Sequence, residues 1–522
     1  MDIMLVEAIN LGKLEKDLSK IFNEKIINLI LMTSETKNKD ELYQIIEDWK
    51  QSIIKIINQR QIERRVEIVR TAGSLSRFDG NVNEVLELAE NKTLNQNLSF
   101  VNRVISMGHS SIIEHDYCVF LLKDVSPIIE QTIIEERFSS FTIKSRREVD
   151  FSKVGFYVPD FYDNTGKIIE NNEQVKKEYT KYMNLLFQEY KKLLDLGISV
   201  EDARYILPYS YHSNIIMGID AHTLKDMIIK FTKTKYSNIQ EIKEFGEKLY
   251  EIARNKIPYI IKEIDNYPYD KKDSVDEYLK DKISVSSYKI LDKPKLLNYS
   301  KNIDDTILIS ALMRRYQIDY QTAKITYQQT LKEYPEFKKK LMRNIILEGD
   351  KLEISQVNFQ FQIPISFAVL THLTRHRTHD IIVPDFVPIV DLTQYKTPPT
   401  IEQKCNLEYK KIFEENKKMY EHFKIDYNIR EEDLIYFTLS GNMVNIITNM
   451  NGKTLEHILR LRECNKTQWE TRKIAHNLHS EVANIDSAEI FASLLGPTCE
   501  TQRICKEGKE SCGKILKLKK EI

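Results

Sequence analysis

Three segments in the first 230 residues of this 522-residue chain recur beyond residue 348, with their polarity pattern kept and much of their chemistry changed. GHSSIIEHDYCVF (108–120) has a weak counterpart in GDKLEISQVNFQF (349–361). SPIIEQTIIEER (126–137) pairs with PISFAVLTHLTRHR (364–377), and IDAHTLKDMI (219–228) with MNGKTLEHIL (450–459). A repeat this long is a duplicated domain rather than a solenoid. Whatever the unit is, the chain must build it twice. Strand-like alternation at 117–122 and 357–361 is followed in each half by apolar helical stretches, which predicts an α+β unit used twice, with short strands and long helices.

Between the halves lies DNYPYDKKDSVDEYLKDK (265–282), polar, charged and interrupted by proline, which reads as a linker. The expected organisation is a first domain over 1–270, a linker over 271–282, a second domain over 283–496 and a cysteine-bearing tail over 497–522. Residues 11–65 read as an N-terminal helical insertion of two or three helices, with Leu14, Leu18, Ile21, Ile26 and Ile30 at roughly helical spacing.

Composition narrows the partners. Lys plus Arg and Asp plus Glu stand at 77 each, so no basic field suggests nucleic acid and no global charge suggests a membrane surface. Met1 to Ala8 lacks the features of a secretory signal, and no apolar run is long enough for a transmembrane helix. A cytoplasmic protein is expected, with no membrane partner and with reduced thiols. An anionic ligand in such a neutral chain must be held by local arginines.

Arg375-His376-Arg377, at the end of the apolar stretch Phe367 to Leu373, is the sharpest local signal. Guanidinium groups there suit a phosphate or a polarised carbonyl, and they equally suit a solvated helix end whose cations favour the dipole. His372, His376 and His379 would share a helical face, with Asp380 following, which opens a metal-dependent hydrolase as a rival. Glu114, between His109 and His115, is placed to accept hydrogen bonds from a ring N–H or a ribose hydroxyl. Ser145, Arg146 and Arg147 make a short cationic segment with a hydroxyl. Cys499, Cys505 and Cys512 are separated by five and six residues, matching neither a zinc ribbon nor a CxxC redox pair. They suit a structural metal if a fourth ligand lies elsewhere, and a flexible thiol-bearing tail otherwise.

Together these segments resemble the flavin-dependent thymidylate synthases, whose hallmarks are GHxxxxEH, RHR followed by SxRY, ARxxLP, and an NxRxL…LR…QWE stretch. The first half carries GHSSIIEH, Ser145 and Arg147 in EERFSSFTIKSRRE, and ARYILP with Arg204. Glu135-Glu136-Arg137 stands where the family has RHR, and Glu148 replaces its tyrosine. The second half is nearly the complement: RHR at 375–377, Asn451 and Lys453 in NGKTL, Arg462 in LRLR, and TQWE. Its GHxxxxEH is lost, Asp385 replaces the serine of SxRY, and no ARxxLP is readable near Leu434.

The resemblance implies one surviving composite site drawing on both copies. Its cofactor would be FAD, reduced by NADPH, with methylenetetrahydrofolate donating a methylene to C5 of dUMP or a related uracil nucleotide. Ser145, Arg147 and Arg462 would be catalytic. Arg147, Arg204 and Arg462 would bind the small-molecule nucleotide, and His109, Glu114, Arg375, His376, Arg377, Asn451 and Lys453 would hold the flavin. The fused chain would stand in for a dimer and pair again as a homodimer, forming a pseudo-tetramer. A non-catalytic flavin- or nucleotide-binding paralogue is the alternative.

Overall fold

The structure is a computed structural model describing residues 1–6, 39–268, 278, 289–347, 351–386 and 391–520. Much of the expected linker, and residues 11–38 of the expected helical insertion, lie outside the described residues.

The main elements follow one plan twice. The first copy runs β1 (Asp2–Val6), α1 (Lys39–Leu75), α2 (Leu94–Ser106), β2 (Tyr117–Val125), α3 (Pro127–Ile134), β3 (Ser139–Ile143), α4 (Asn172–Asp195), β4 (Ser213–Asp220), α5 (Ala221–Lys233) and α6 (Gln240–Lys256). The second runs β5 (Lys295–Tyr299), α7 (Ile303–Tyr316), β6 (Asn358–Ser366), α8 (Phe367–Thr374), β7 (Asp380–Ile382), α9 (Asn406–Asp426), β8 (Met443–Asn451), α10 (Gly452–Arg462) and α11 (Trp469–Ala483). The two four-stranded antiparallel sheets have matching orders, β1-β2-β4-β3 and β5-β6-β8-β7. The α+β fold used twice is therefore how the chain is built.

The chain compacts into two units that do not follow the halves of the sequence. One comprises residues 1–144 and 212–274; the other comprises 145–211 and 275–522. The contiguous division at 270 differs from this, because residues 145–211, a part of the first copy, pack with the second. Local patterning carries no information on that long-range choice. β1 is also an element that the sequence reading did not anticipate, and α1 continues ten residues past the expected end of the insertion.

In the first unit, β2 alternates, burying Cys118, Phe120 and Leu122 on one face. α3 is buried all round, its Ile128, Ile129, Ile133 and Ile134 packed into the core and its Glu130, Gln131 and Thr132 buried with them. At its start the Ser126 hydroxyl accepts from the Ile128 N–H at 3.1 Å, and Ser126 in turn donates N–H and O–H to Glu241 of α6 at 3.0 and 2.6 Å. The second unit repeats the serine–glutamate pairing without the side-chain cap: α8 is buried all round, and Ser366 donates N–H and O–H to Glu470 of α11 at 2.9 and 2.8 Å. A fully buried aliphatic side chain contributes on the order of 1.5–3 kcal/mol, so these helices anchor each unit.

Also in the second unit, α4 meets α9 through aromatic edges, with Tyr179 and Phe423 centroids 6.4 Å apart, and through the Tyr182 hydroxyl, 3.2 Å from Asn416 Oδ1. Among the described residues, no helix is long and apolar enough to cross a membrane.

Candidate active site

The second unit gathers a cluster of cations. ARYILP enters through two short helical turns, Val200–Ala203 and Arg204–Ile206. Backbone hydrogen bonds then stitch it to residues 438–441: Tyr209 N–H to Thr438 O at 2.7 Å, Ser440 N–H to Leu207 O at 2.9 Å, and Gly441 N–H to Tyr205 O at 2.6 Å. The QWE stretch keys onto it. The Tyr205 hydroxyl donates to Glu470 at 2.6 Å and accepts from Gln468 Nε2 at 3.0 Å, and the Trp469 indole N–H donates to Asp202 at 2.9 Å. The Tyr205 and Trp469 rings stack with centroids 5.9 Å apart.

This fixes Arg204 at 2% exposure, with Nε and Nη2 lacking any hydrogen-bond partner. Burial, with Arg146 and Arg147 adding repulsion, pulls its pKa down to about 10. Arg147 pairs with Glu201, and its backbone N–H donates to Ser145 Oγ at 3.2 Å. Arg146, also buried, donates to the Tyr211 hydroxyl and, at 3.2 Å, to Thr371 Oγ1 on α8.

From the other side, α8 ends at Thr374, with Arg375 as its cap, and leaves Arg375 and Arg377 exposed while burying His376. Arg462, in the last turn of α10, donates from Nε to His376 Nε2 at 2.9 Å and from Nη2 to the His372 carbonyl at 3.0 Å, both neutral acceptors. Its pKa too falls to about 10, through burial and then through Arg375 and Arg147. Burial and Arg462 push His376 down to about 2, so it is a neutral acceptor. Burial, and then Arg204, Arg462, Arg375 and Arg147, hold His372 well below the usual range. Ser145, Arg147, Arg204, Arg375, His376 and Arg462 are thus brought together, with Glu201 the carboxylate paired to Arg147.

Arg375, His376, Arg377, Asn451 and Lys453 also line one cavity of about 540 Å³, together with Lys351, His457 and Arg460. Asn451 caps α10 by accepting from Thr454 N–H at 2.9 Å, which aims the first turn of the helix at that cavity. The sequence reading missed Lys351 and Arg460, which share Glu456 at 2.7 and 3.3 Å; the seven-residue spacing from Lys453 to Arg460 was the available signal. It also gave no role to Glu201 or Tyr205.

His109 and Glu114 belong to the first unit. They are exposed on the 3-10 turn Ser110–His115 and its cap, and they line another cavity of about 800 Å³ with Phe100, Arg77 and Arg103. Glu114 accepts from the His222 ring at 3.1 Å.

The histidine face that a rival metal site would need does not form among the described residues. α8 stops before His376, so the three rings do not share a helical side. His372 Nδ1 contacts Thr471 Oγ1 at 2.9 Å, His376 faces Arg462, and both His379 nitrogens are engaged, at 2.6 Å to Thr448 Oγ1 and 3.1 Å to the Leu373 carbonyl.

The first unit shows what was lost from the other copy. Glu135 and Glu136 occupy the places of Arg375 and His376, and Phe231 occupies that of Arg462. Lys230 pairs with Glu136 at 3.1 Å, leaving a neutralised pair in place of a cationic cluster. Conversely, turns at Glu431–Leu434 and Ile435–Phe437 repeat the ARYILP backbone, with Ile435 in the place of Arg204.

Comparison with known proteins agrees with this duplication. The flavin-dependent thymidylate synthase of Geobacter sulfurreducens is 28% identical over 26% of this chain and 57% of its own length, and that of Thermococcus onnurineus 24% identical over 39% and 80%. The Clostridium tetani enzyme is 30% identical over 30% of this chain and 66% of its own length. The chain thus spans between about half and four fifths of the length of these relatives. The structure of the Helicobacter pylori flavin-dependent thymidylate synthase complexed with FAD and dUMP covers 38% of this chain and 94% of that one, at 20% identity and a TM-score of 0.29. The family described as thymidylate synthase complementing protein matches residues 59–259 and again 295–486. Matched in two successive stretches that take in about three quarters of its length, the chain belongs to the thymidylate synthase complementing protein family, with two copies of that family's unit in tandem.

Proposed function

We propose that this chain is a cytoplasmic, FAD-dependent enzyme that methylates C5 of dUMP or a related uracil nucleotide, with methylenetetrahydrofolate as carbon donor and NADPH as reductant. The observation that carries the reading is Arg204, a buried guanidinium with two unpartnered N–H donors beside further cations. An orphaned buried charge is costly, and an anion such as a nucleotide phosphate would compensate it.

In this reading Arg204 and Arg147 hold the phosphate. Arg462 faces the pyrimidine carbonyls, where negative charge develops as C5 becomes nucleophilic. His376, held neutral, accepts from Arg462 and fixes the direction of its remaining N–H groups. Tyr205, Gln468 and Glu470 position Arg204 from beneath, so that little reorganisation is needed on binding.

The cavity at α8 and α10 fits a dinucleotide: Arg375, Arg377, Lys453 and Arg460 suit a diphosphate, and Asn451 and His457 offer neutral polar contacts. When bound there, the flavin would supply the hydride that completes the methyl group. His109 and Glu114 are proposed as further flavin contacts, and the chain as a homodimer that completes a pseudo-tetramer.

The test is the visible spectrum of the purified protein, with tritium release from C5-labelled dUMP in the presence of NADPH and methylenetetrahydrofolate. Arg204→Ala and Arg375→Ala should each abolish release, with flavin absorbance lowered only in the second. Bound flavin without release in the wild type would establish the binding paralogue instead, and a colourless protein that takes up no FAD would sink the proposal.

A further inference from the structure

Beyond the last residue matched to the family, the chain holds a feature that nucleotide chemistry does not use. Cys499, Cys505 and Cys512 line one small cavity together with Cys464, which lies two residues past the end of α10. All four are free thiols. The cavity measures about 20 Å³, which is room for one water-sized sphere.

From this arrangement we infer that Cys464, Cys499, Cys505 and Cys512 bind one structural Zn²⁺ as a four-thiolate site that fastens the C-terminal segment to the end of α10.

The segment needs such a fastening. After Pro497, no residue through Leu518 is buried, so this stretch carries no apolar core of its own. Its regular structure among the described residues is short: turns of helix at Thr498–Thr501 and Gly508–Glu510, then Lys514–Lys520. Left-handed backbone at Arg503, Gly508 and Gly513 reverses the chain around the cysteines. Segments of this kind are held by disulfides or a metal, since burial cannot hold them. Four thiols converging from two separate stretches, with no disulfide among them, point to the metal.

The surroundings suit zinc. Asn465 Nδ2 is 3.6 Å from Cys512 Sγ, the kind of amide contact that orients a thiolate ligand. Lys466 and Lys514 line the same cavity with Glu463, Glu500 and Glu507, and each lysine is paired with a glutamate, Glu510 and Glu500. A space for one small sphere suits a single ion and not an iron–sulfur cluster, whose several irons and sulfides need more. Among the described residues, no set of three or more His, Cys, Asp or Glu is already closed to metal-holding geometry. Binding therefore draws the four sulfurs inward from the cavity wall, which side-chain rotation in so lightly packed a segment permits. Each thiol gives up its proton to solvent as its Zn–S bond forms, so the site loads best at neutral pH and above.

The experiment uses the full chain, expressed with zinc in the medium and purified under reducing conditions. Elemental analysis should find about one zinc per chain, and X-ray absorption should show four sulfur neighbours at about 2.3 Å. Iodoacetamide followed by mass spectrometry should spare the four cysteines until a strong chelator is added, and then label all four. Cys505→Ser and Cys512→Ser should each lose the zinc, whereas Cys405→Ser, elsewhere in the unit, should keep it. Because absorption and alkylation are read on the wild type, the inference stays testable if a variant fails to fold. Reduced wild-type protein that neither carries nor takes up zinc, iron in place of zinc, or zinc retained in the Cys505→Ser/Cys512→Ser double variant would each overturn it.

Discussion

Replacing Arg204 with methionine should stabilise the protein while it disables the site. The guanidinium is 2% exposed, two of its nitrogens lack partners, and its pKa stands at about 10 against an ordinary 12.5. At about 1.4 kcal/mol per unit, the protein holds this charge at a cost of roughly 3 kcal/mol. At neutral pH it is still charged, so that cost is present in the resting protein. Methionine keeps most of the packing of the side-chain stem and removes the charge. Allowing for lost contacts and relaxation, we expect a gain of about 1–3 kcal/mol in the absence of nucleotide. A charge-assisted contact to phosphate is lost at the same time, which should weaken dUMP binding by about 2–4 kcal/mol, or roughly 30- to 1000-fold. Urea unfolding with and without dUMP, beside titration calorimetry, reads both. Wild type at 100 times its Kd should gain about 2.7 kcal/mol from the ligand, and the variant at that concentration less than about 1 kcal/mol. A variant that is less stable than wild type without nucleotide, yet binds dUMP as well, would refute the reasoning, because Arg204 would then have an internal partner.

Three further outcomes are expected. His376 has its folded pKa depressed to about 2 from 6.5, so the unfolded chain takes up the proton first. Stability is therefore full above pH 6.5 and falls below it, by about 2 kcal/mol at pH 5, and His376→Gln should flatten that slope in pH-dependent unfolding. Glu470→Ala leaves the Ser366 N–H and hydroxyl and the Tyr205 hydroxyl without their acceptor, and should cost about 3–5 kcal/mol in urea, as against about 2–4 for Glu241→Ala; losses under 1 kcal/mol would mean that these carboxylates are not holding the helices. A Cβ on Gly452 would overlap the Ile354 carbonyl oxygen, so Gly452→Ala should shift the turn presenting Asn451 and Lys453, at about 1–3 kcal/mol, and lower the flavin absorbance of the purified protein.

The elements that the sequence revealed are those whose signal is local. β2 and β6 alternate in burial within nine residues, and α3 and α8 are largely apolar stretches ending in charge, so both halves could be aligned without a structure. β1, five residues long, and β7, three, gain their identity only by pairing with β2 and β8, and short segments carry little pattern of their own. The ARYILP counterpart near Leu434 escaped notice because its arginine is Ile435. What the second copy kept were the architectural residues Asp433 and Tyr436, in step with Asp202 and Tyr205. At the candidate site, RHR and ARYILP were legible as cationic motifs, with a solvated helix end and a surface ion pair as their plain readings. That His376 would be buried was not, since it follows from where α8 stops. Cys464 was overlooked as a possible partner of the tail cysteines because 34 residues separate it from Cys499.

Arg147 and Arg204 come from one copy and Arg375 and Arg462 from the other, yet all four lie on the same polypeptide. In an assembly of identical chains, every mutation is written into every site at once, so a residue needed anywhere must be kept everywhere. A tandem chain escapes that rule. Glu136 and Ile435 can stand where a family member would need His and Arg, because each change falls in one copy while the other copy still encodes the residue. On the proposed function, duplication turns a symmetric constraint into a division of labour, and it leaves the two halves of the gene free to be varied independently in any redesign.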